Sequence, residues 1–165
     1  MAVAVVMAGP AHAQGPKPLK IGTVAPEFMA TSLTGQKISP KSFRGHVVLL
    51  DMWATWCGPC RASIPTLQKI QEKFYKDGVY VVGVSFDTAE TVDNVNDFAV
   101  EHNMRYIVTK SPASVPAIRD AYHITGIPSM FLLDKHGRIR WTAAGFNPAE
   151  GVKISAMIKK LQAEK

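Results

Sequence analysis

Runs of apolar residues alternate with amphipathic segments along the chain. Residues 47–50 and 79–86 are nearly continuous apolar stretches, which are typical of strands covered on both faces in an α/β sheet. Between them, apolar side chains recur every three or four positions, as on one face of a helix. These side chains are Ile64, Leu67, Ile70 and Phe74. The pattern predicts a strand–helix–strand unit, which is right-handed if its two strands are parallel neighbours.

Further elements are predicted on either side of this unit. Residues 28–38 contain short apolar pieces around a Thr-Gly-Gln turn signal, which predicts a β-hairpin. Residues 91–108 combine a helical pattern with a short apolar run, which predicts an additional helix and strand. A second hairpin is predicted where two apolar runs flank residues 134–137, and helices are predicted near residues 116–122 and 152–161.

The N-terminal segment has the composition of an export signal. Residues 1–8 are an apolar run too short to span a bilayer, and Ala11-His12-Ala13 fits a signal-peptidase cleavage pattern. Because no Lys or Arg precedes the run, we expect residues 1–13 to be a truncated signal peptide. Residues 14–20 are expected to be a linker, and residues 21–165 are expected to fold. The alternative is a disordered apolar N-terminus of a cytosolic protein.

Composition and charge fit a single globular domain of 165 residues. Apolar residues make up 47% of the chain and charged residues 19%, without acidic or basic blocks. The formal net charge is +6, but Lys and Arg are scattered and no nucleic-acid-reading motif accompanies them. We therefore expect a basic surface and no nucleic-acid partner.

The chain contains two cysteines, Cys57 and Cys60, separated by two residues. Such a pair is typical of a metal half-site, a redox pair or a small structural bridge. A bridge across two residues closes almost no loop, so it would stabilise the fold little. A tetrahedral zinc site needs four ligands, and a second Cys-rich half is missing from the sequence. The pair therefore favours redox chemistry, and no metal is expected.

The residues around the pair suit thiol chemistry. The thiolate is the form that attacks a disulfide, so a redox cysteine needs a lowered pKa and access to solvent. Cys57 comes just before a helix that Pro59 begins, where free N–H groups and the helix dipole stabilise a negative sulfur. Cys60 comes one turn later, which suits a less exposed resolving thiol. We predict that Cys57 attacks the client and that Cys60 releases it.

The cysteine segment and a distant proline resemble a known family. Trp53-Ala-Thr-Trp56-Cys-Gly-Pro-Cys60 resembles the active-site segment of thioredoxins, and Ile127-Pro128 resembles their cis-proline dipeptide. The additional helix and strand, the opening Ala25-Pro26-Glu27-Phe28 and the export signal resemble the TlpA/ResA-like branch, which comprises periplasmic or membrane-facing thiol reductases. The resemblance covers about residues 21–162. It implies an α/β thioredoxin-like fold, a central mixed β-sheet flanked by helices on both faces, with an N-terminal β-hairpin extension and an inserted helix and strand.

The same resemblance implies roles for single residues. Pro128 would be a cis-proline facing the cysteines, and Ile127 would offer its backbone groups to an extended client peptide. Trp56, Gly58 and Pro59 would contact the client beside the cysteines. The alternative for Pro128 is a trans proline at the entrance of an edge strand.

Two further positions bear on proton transfer. Asp51, six residues before Cys57, matches the buried aspartate that thioredoxins use as proton acceptor for the resolving thiol. Burial would raise its pKa and suit it to general-base work near neutral pH, whereas the alternative is a solvent-exposed aspartate at a strand end. Ser63 departs from the TlpA/ResA-like branch, which commonly has glutamate three residues after the second cysteine. This difference leaves open whether pH tuning and partner choice match that branch.

The resemblance also implies a function. We expect a monomeric, exported reductase of client protein disulfides, with no cofactor beyond its redox-active disulfide. Electrons would come from a membrane thiol transporter of the DsbD/CcdA type. Cytochrome c maturation is one candidate pathway, beside copper-site reduction and general thiol repair. Gly58-Pro59 matches the dipeptide of the reducing thioredoxin type.

Three other activities occur on related folds. An oxidase or isomerase would use the same cysteines at a different potential. A peroxidase of the peroxiredoxin type uses a Pro-X-X-X-Thr-X-X-Cys pattern, which this chain lacks. A copper-binding assembly module would place three residues between its cysteines and add a distal histidine, for which His123 and His136 are candidates by residue type alone.

Overall fold

The computed structural model describes residues 19–164. The expected signal peptide, residues 1–13, and most of the expected linker, residues 14–20, lie outside the described residues. Within the described part, no helix is both long and apolar enough to cross a bilayer. The strands and helices are β1 (Ala30–Thr31), β2 (Lys37–Ile38), β3 (Val47–Trp53), α1 (Gly58–Phe74), β4 (Val79–Ser85), α2 (Asn94–Glu101), β5 (Ile107–Thr109), α3 (Val115–Ala121), β6 (Ser129–Leu133), β7 (Ile139–Ala144) and α4 (Glu150–Ala163).

Five of the strands form one mixed sheet in the order β5-β4-β3-β6-β7. β3, β4 and β5 run parallel, whereas β6 is antiparallel to both β3 and β7. All residues of β3 are buried, because this apolar strand lies at the centre of the sheet. β1 and β2 pair as a separate short hairpin. The predicted thioredoxin-like architecture is confirmed, including the N-terminal hairpin and the inserted α2 and β5.

The helices cover both faces of the sheet. Side chains alternate along a strand, so Asp51 and Trp53 share one face. The Trp53 ring packs against Phe98 of α2 with 5.2 Å between ring centroids, and an arginine of α1 lies over the same Phe98 ring. On the opposite face Tyr122, which follows α3, packs against Phe131 of β6 with 5.0 Å between centroids. Asp51 therefore lies on the face that α1 and α2 cover.

The helix α2 is shorter than its apolar pattern predicts. It begins at Asn94 rather than near Thr91. Just upstream, the Thr88 backbone N–H donates to the Thr91 hydroxyl at 3.1 Å, and the Val92 N–H donates to the Thr88 carbonyl at 2.9 Å. These local bonds satisfy the backbone in a turn, so the regular helix starts about one turn later.

Candidate active site

Cys57 caps the N-terminus of α1. Its backbone is extended, with φ −86° and ψ 101°, and the chain turns into the helix at Gly58. Its sulfur accepts a hydrogen bond from the Cys60 backbone N–H at 3.2 Å, and it is joined to the Cys60 sulfur in a disulfide. Pro59 occupies the first turn, where its missing N–H removes no helical bond. The Cys57 sulfur therefore lies where the helix presents its free donors and the positive end of its dipole.

The two cysteines differ in exposure in the order predicted. Cys60 is 1% exposed and Cys57 is 5% exposed, so both cysteines are buried in the disulfide form, and Cys57 lacks the open access to solvent that the sequence predicted. The neighbouring Trp56 side chain is 56% exposed, and Gly58 and Pro59 are exposed as well. The buried sulfur of Cys57 is therefore bordered by an exposed apolar surface, the rim, which consists of Trp56, Gly58 and Pro59.

The proline segment lies against the disulfide. The Ile127–Pro128 peptide bond is cis, as the family resemblance implies. The Ile127 carbonyl oxygen lies 3.8 Å from the Cys57 sulfur, and Pro128 is buried at the start of β6. The Pro128 carbonyl accepts a hydrogen bond from the Gly145 N–H at 2.8 Å, which ties this segment to the end of β7. Two motifs that are distant in sequence therefore form one surface.

Asp51 is buried in the middle of β3. Its side chain is 1% exposed, which confirms the predicted burial and rules out a solvent-exposed carboxylate. Its Oδ1 atom has no hydrogen-bond partner within residues 19–164. Burial raises the pKa of Asp51 from 3.8 to about 7, because desolvation disfavours the charged form. At neutral pH this carboxyl group can both take up and give up a proton.

The sequence of this chain matches a known protein family. The profile of the Redoxin family matches residues 20–161. The chain belongs to the redoxin family.

Similar proteins carry names that refer to thiol-disulfide exchange or to thioredoxin. The thiol-disulfide oxidoreductase ResA of Bacillus thuringiensis is 32% identical over 143 residues, which cover 87% of this chain and 79% of ResA. The thioredoxin-like protein YneN of Bacillus subtilis is 34% identical over 120 residues, covering 72% and 68%. A Chlorobium tepidum structure assigned as thiol:disulfide interchange protein DsbE superposes with a TM-score of 0.80 at 30% identity, covering 88% of this chain and 99% of that one. This redoxin is a TlpA/ResA-like thiol-disulfide oxidoreductase with a Cys57–Cys60 disulfide.

The redoxin also has a polar network that sequence reasoning missed. The buried Asp87 carboxylate accepts hydrogen bonds from the Thr55 backbone N–H at 3.1 Å and the Thr55 hydroxyl at 2.6 Å. It accepts a third from the Ser85 hydroxyl at 2.7 Å. This network fixes the loop between β3 and Cys57 to the end of β4. A sequence signal was present, since Ser85 ends and Asp87 follows a buried strand, β4, whose carboxyl end lies beside that of β3.

The first turns of α1 carry two more polar contacts. The Ser63 hydroxyl donates to the Cys60 carbonyl at 2.7 Å and is fully buried, so this side chain is engaged with its own helix. The Arg61 guanidinium donates to the Thr55 carbonyl at 3.4 Å and lies over the Phe98 ring, 5.7 Å from its centroid. Where the TlpA/ResA-like branch commonly has a glutamate, this redoxin therefore has the neutral side chain of Ser63, one turn after Cys60.

The candidate copper ligands, His123 and His136, do not form a metal site with the cysteine pair. His123 follows α3 and His136 lies in the turn between β6 and β7. Across residues 19–164, no group of three His, Cys, Asp or Glu side chains is arranged to hold a metal ion. The geometry around the cysteines favours dithiol exchange.

Proposed function

We propose that this redoxin is an exported, periplasmic reductase of disulfides in client proteins. The observation that carries the proposal is the Cys57 sulfur at the N-terminus of α1, facing the cis-proline segment. A helix N-terminus stabilises the thiolate that attacks a disulfide, and Cys60 lies close enough to complete the exchange. Export is supported by the pattern of residues 1–13 and by the TlpA/ResA-like resemblance.

The first half of the reaction transfers the client to Cys57. In the reduced protein the Cys57 thiolate attacks one sulfur of a client disulfide. A bond forms between the Cys57 sulfur and that client sulfur, and the client S–S bond breaks. The other client sulfur leaves as a thiolate and takes a proton from solvent. The product is a mixed disulfide between Cys57 and the client.

The second half releases the client. Asp51 accepts the proton of the Cys60 thiol, and the resulting thiolate attacks the Cys57 sulfur. The Cys57–Cys60 bond forms and the client sulfur leaves as a thiolate, so the client gains two electrons and the protein dithiol is oxidised. A reduced dithiol partner then restores the pair, for which we propose a membrane thiol transporter of the DsbD/CcdA type. No cofactor beyond the cysteine pair enters this cycle.

The rim of the site offers a surface for client peptides. We propose that an extended client segment lies along Ile127, whose carbonyl borders the Cys57 sulfur, and that Trp56, Gly58 and Pro59 contact its side chains. Such backbone pairing depends little on the amino-acid sequence of the client, which suits a protein that acts on several clients. We propose that the protein does so as a monomer. Apocytochrome c before haem attachment is a candidate client that the resemblance to the TlpA/ResA-like branch implies.

The reduction potential of the Cys57–Cys60 pair tests the direction of exchange. Because the dipeptide Gly58-Pro59 is of the reducing type, we expect a potential nearer about −270 mV than about −120 mV. Equilibration of the purified protein with glutathione or with a thioredoxin standard, read by alkylation and mass spectrometry, measures it. A value near the strong-oxidant end would make the protein an oxidase or isomerase and overturn the reductase assignment.

A further inference from the structure

Several buried polar atoms near the active site lack partners. Within residues 19–164, no hydrogen bond satisfies Asp51 Oδ1, Trp53 Nε1 or Tyr106 Oη, and the same holds for Thr109 Oγ1 on β5. Buried polar groups in folded proteins are nearly always paired, with protein or with ordered water. Asp51 and Trp53 share one face of β3, and Tyr106 immediately precedes β5 in the inserted segment.

Gly83 of β4 brings the first three of these groups together. It is the register partner of Asp51. A Cβ at this position would lie 2.9 Å from Trp53 Nε1 and 3.2 Å from Tyr106 Cε2. Gly83 does not adopt a left-handed backbone, so the missing side chain serves the close approach of the two rings. Burial raises the pKa of Tyr106, and the charge of Asp51 raises it further, as expected for two groups on the same side of the sheet.

We propose that Asp51, Trp53 and Tyr106 hold one internal water molecule, through which Trp53 and Tyr106 act as positioning residues for the ionised Asp51 carboxylate. The indole N–H and the phenol O–H are donors and the carboxylate oxygen is an acceptor, so one water accepts two hydrogen bonds and donates one. Internal waters make about three such bonds to otherwise unpaired groups. The functional part of this inference rests on the proposed role of Asp51 as proton acceptor for Cys60.

The remaining surroundings of Asp51 are largely apolar. β4 and β6 place Gly83 and Met130 beside it in the register, and α4 contributes its buried Ile154, Ile158 and Leu161 to the core. Burial raises the pKa of Asp51, and a donor that reaches the carboxylate through water would favour its ionised form. The other titratable groups on this side of the sheet include Arg61, His102 and Tyr106, whereas Cys60 is held in the disulfide of the oxidised protein and does not titrate.

The water site can be tested without an activity measurement, from the chemical shift of the Trp53 indole N–H proton in the NMR spectrum of the oxidised protein as a function of pH. In the native protein we expect its shift to titrate with Asp51, with a midpoint near pH 7, and to lose the titration in Asp51→Asn. Tyr106→Phe removes one donor to the ionised group, so the midpoint should rise by about one pH unit. The matched control is Tyr122→Phe, which removes a buried hydroxyl bonded to the Pro26 carbonyl on the opposite face and should leave the midpoint unchanged.

The outcomes separate this inference from the proposed function. An unchanged midpoint in Tyr106→Phe, or an equal rise in Tyr122→Phe, would overturn the water site. If Tyr106→Phe does not fold, a cross-relaxation signal between the Trp53 indole proton and a long-lived water in the native protein decides, and its absence refutes the site. If Trp53 titrates as expected but Asp51→Asn releases clients at the native rate, the water site stands and the proposed role of Asp51 fails.

Discussion

Cys60→Ser is expected to trap clients on Cys57 as mixed disulfides. A serine hydroxyl does not ionise near neutral pH, so it cannot attack the Cys57 sulfur, whereas the first attack by Cys57 needs only its own thiolate. Serine is close in size to cysteine and fits the buried Cys60 position, which is 1% exposed. Steady-state reduction of insulin should fall by at least about 10³-fold, as when an enzyme loses a group essential to covalent turnover. Covalent capture should approach roughly one client per protein.

The matched control for the trap is Cys57→Ser, which keeps a single thiol in the same helix. Because Cys60 is less exposed than Cys57, this variant should neither turn over insulin nor capture it. Non-reducing electrophoresis with mass spectrometry of the adducts measures both outcomes. Capture by Cys57→Ser but not by Cys60→Ser would reverse the roles of the two thiols.

Asp51→Asn is expected to abolish a large pH dependence of stability. The pKa of Asp51 is about 7 in the folded protein and 3.8 without burial, so between these values the folded state binds the extra proton. The contribution of Asp51 to the free energy of unfolding therefore falls as pH rises from about 4 to about 7 and is constant above that range. At 1.36 kcal/mol for each pKa unit, the loss is on the order of 4 kcal/mol. The variant, which cannot ionise at this position, should lack this fall.

Urea denaturation of the oxidised native and Asp51→Asn proteins between about pH 4 and pH 9 measures the difference. The comparison of the two pH profiles cancels the separate cost of burying an amide. Parallel profiles for the native protein and Asp51→Asn would show that Asp51 ionises at its ordinary pKa.

The central unit of the fold was predictable because its signals are local and strong. β3 and β4 are mostly apolar and almost entirely buried, and α1 repeats its apolar residues at helical spacing between a proline in its first turn and a glycine after its end. The cysteine pair was predictable for the same reason, since its position relative to the helix start follows from Pro59. The family resemblance supplied the approach of the Ile127–Pro128 segment to Cys57, which no local pattern contains.

The missed features depend on strand register and on side chains that meet across elements. Asp87 follows a strand as an ordinary loop residue does, and its bonds to Thr55 exist because β3 and β4 end together. From the sequence alone, Gly83 is only a glycine that destabilises a strand, and its role becomes visible when the register places it opposite Asp51. The start of α2 was misplaced because a turn at Thr88 satisfies the backbone before the helix begins. Periodicity describes which residues are buried, but it does not show which polar groups meet.

The rate of alkylation of Cys57 as a function of pH tests the central claim most directly, in the reduced protein with Cys60→Ser so that a single thiol reacts. If the N-terminus of α1 stabilises the Cys57 thiolate, the alkylation rate should reach half of its maximum at about pH 7, as in thioredoxin. A midpoint at or above about pH 8.5, the value of an unperturbed thiol, would contradict a reactive cysteine activated by the helix.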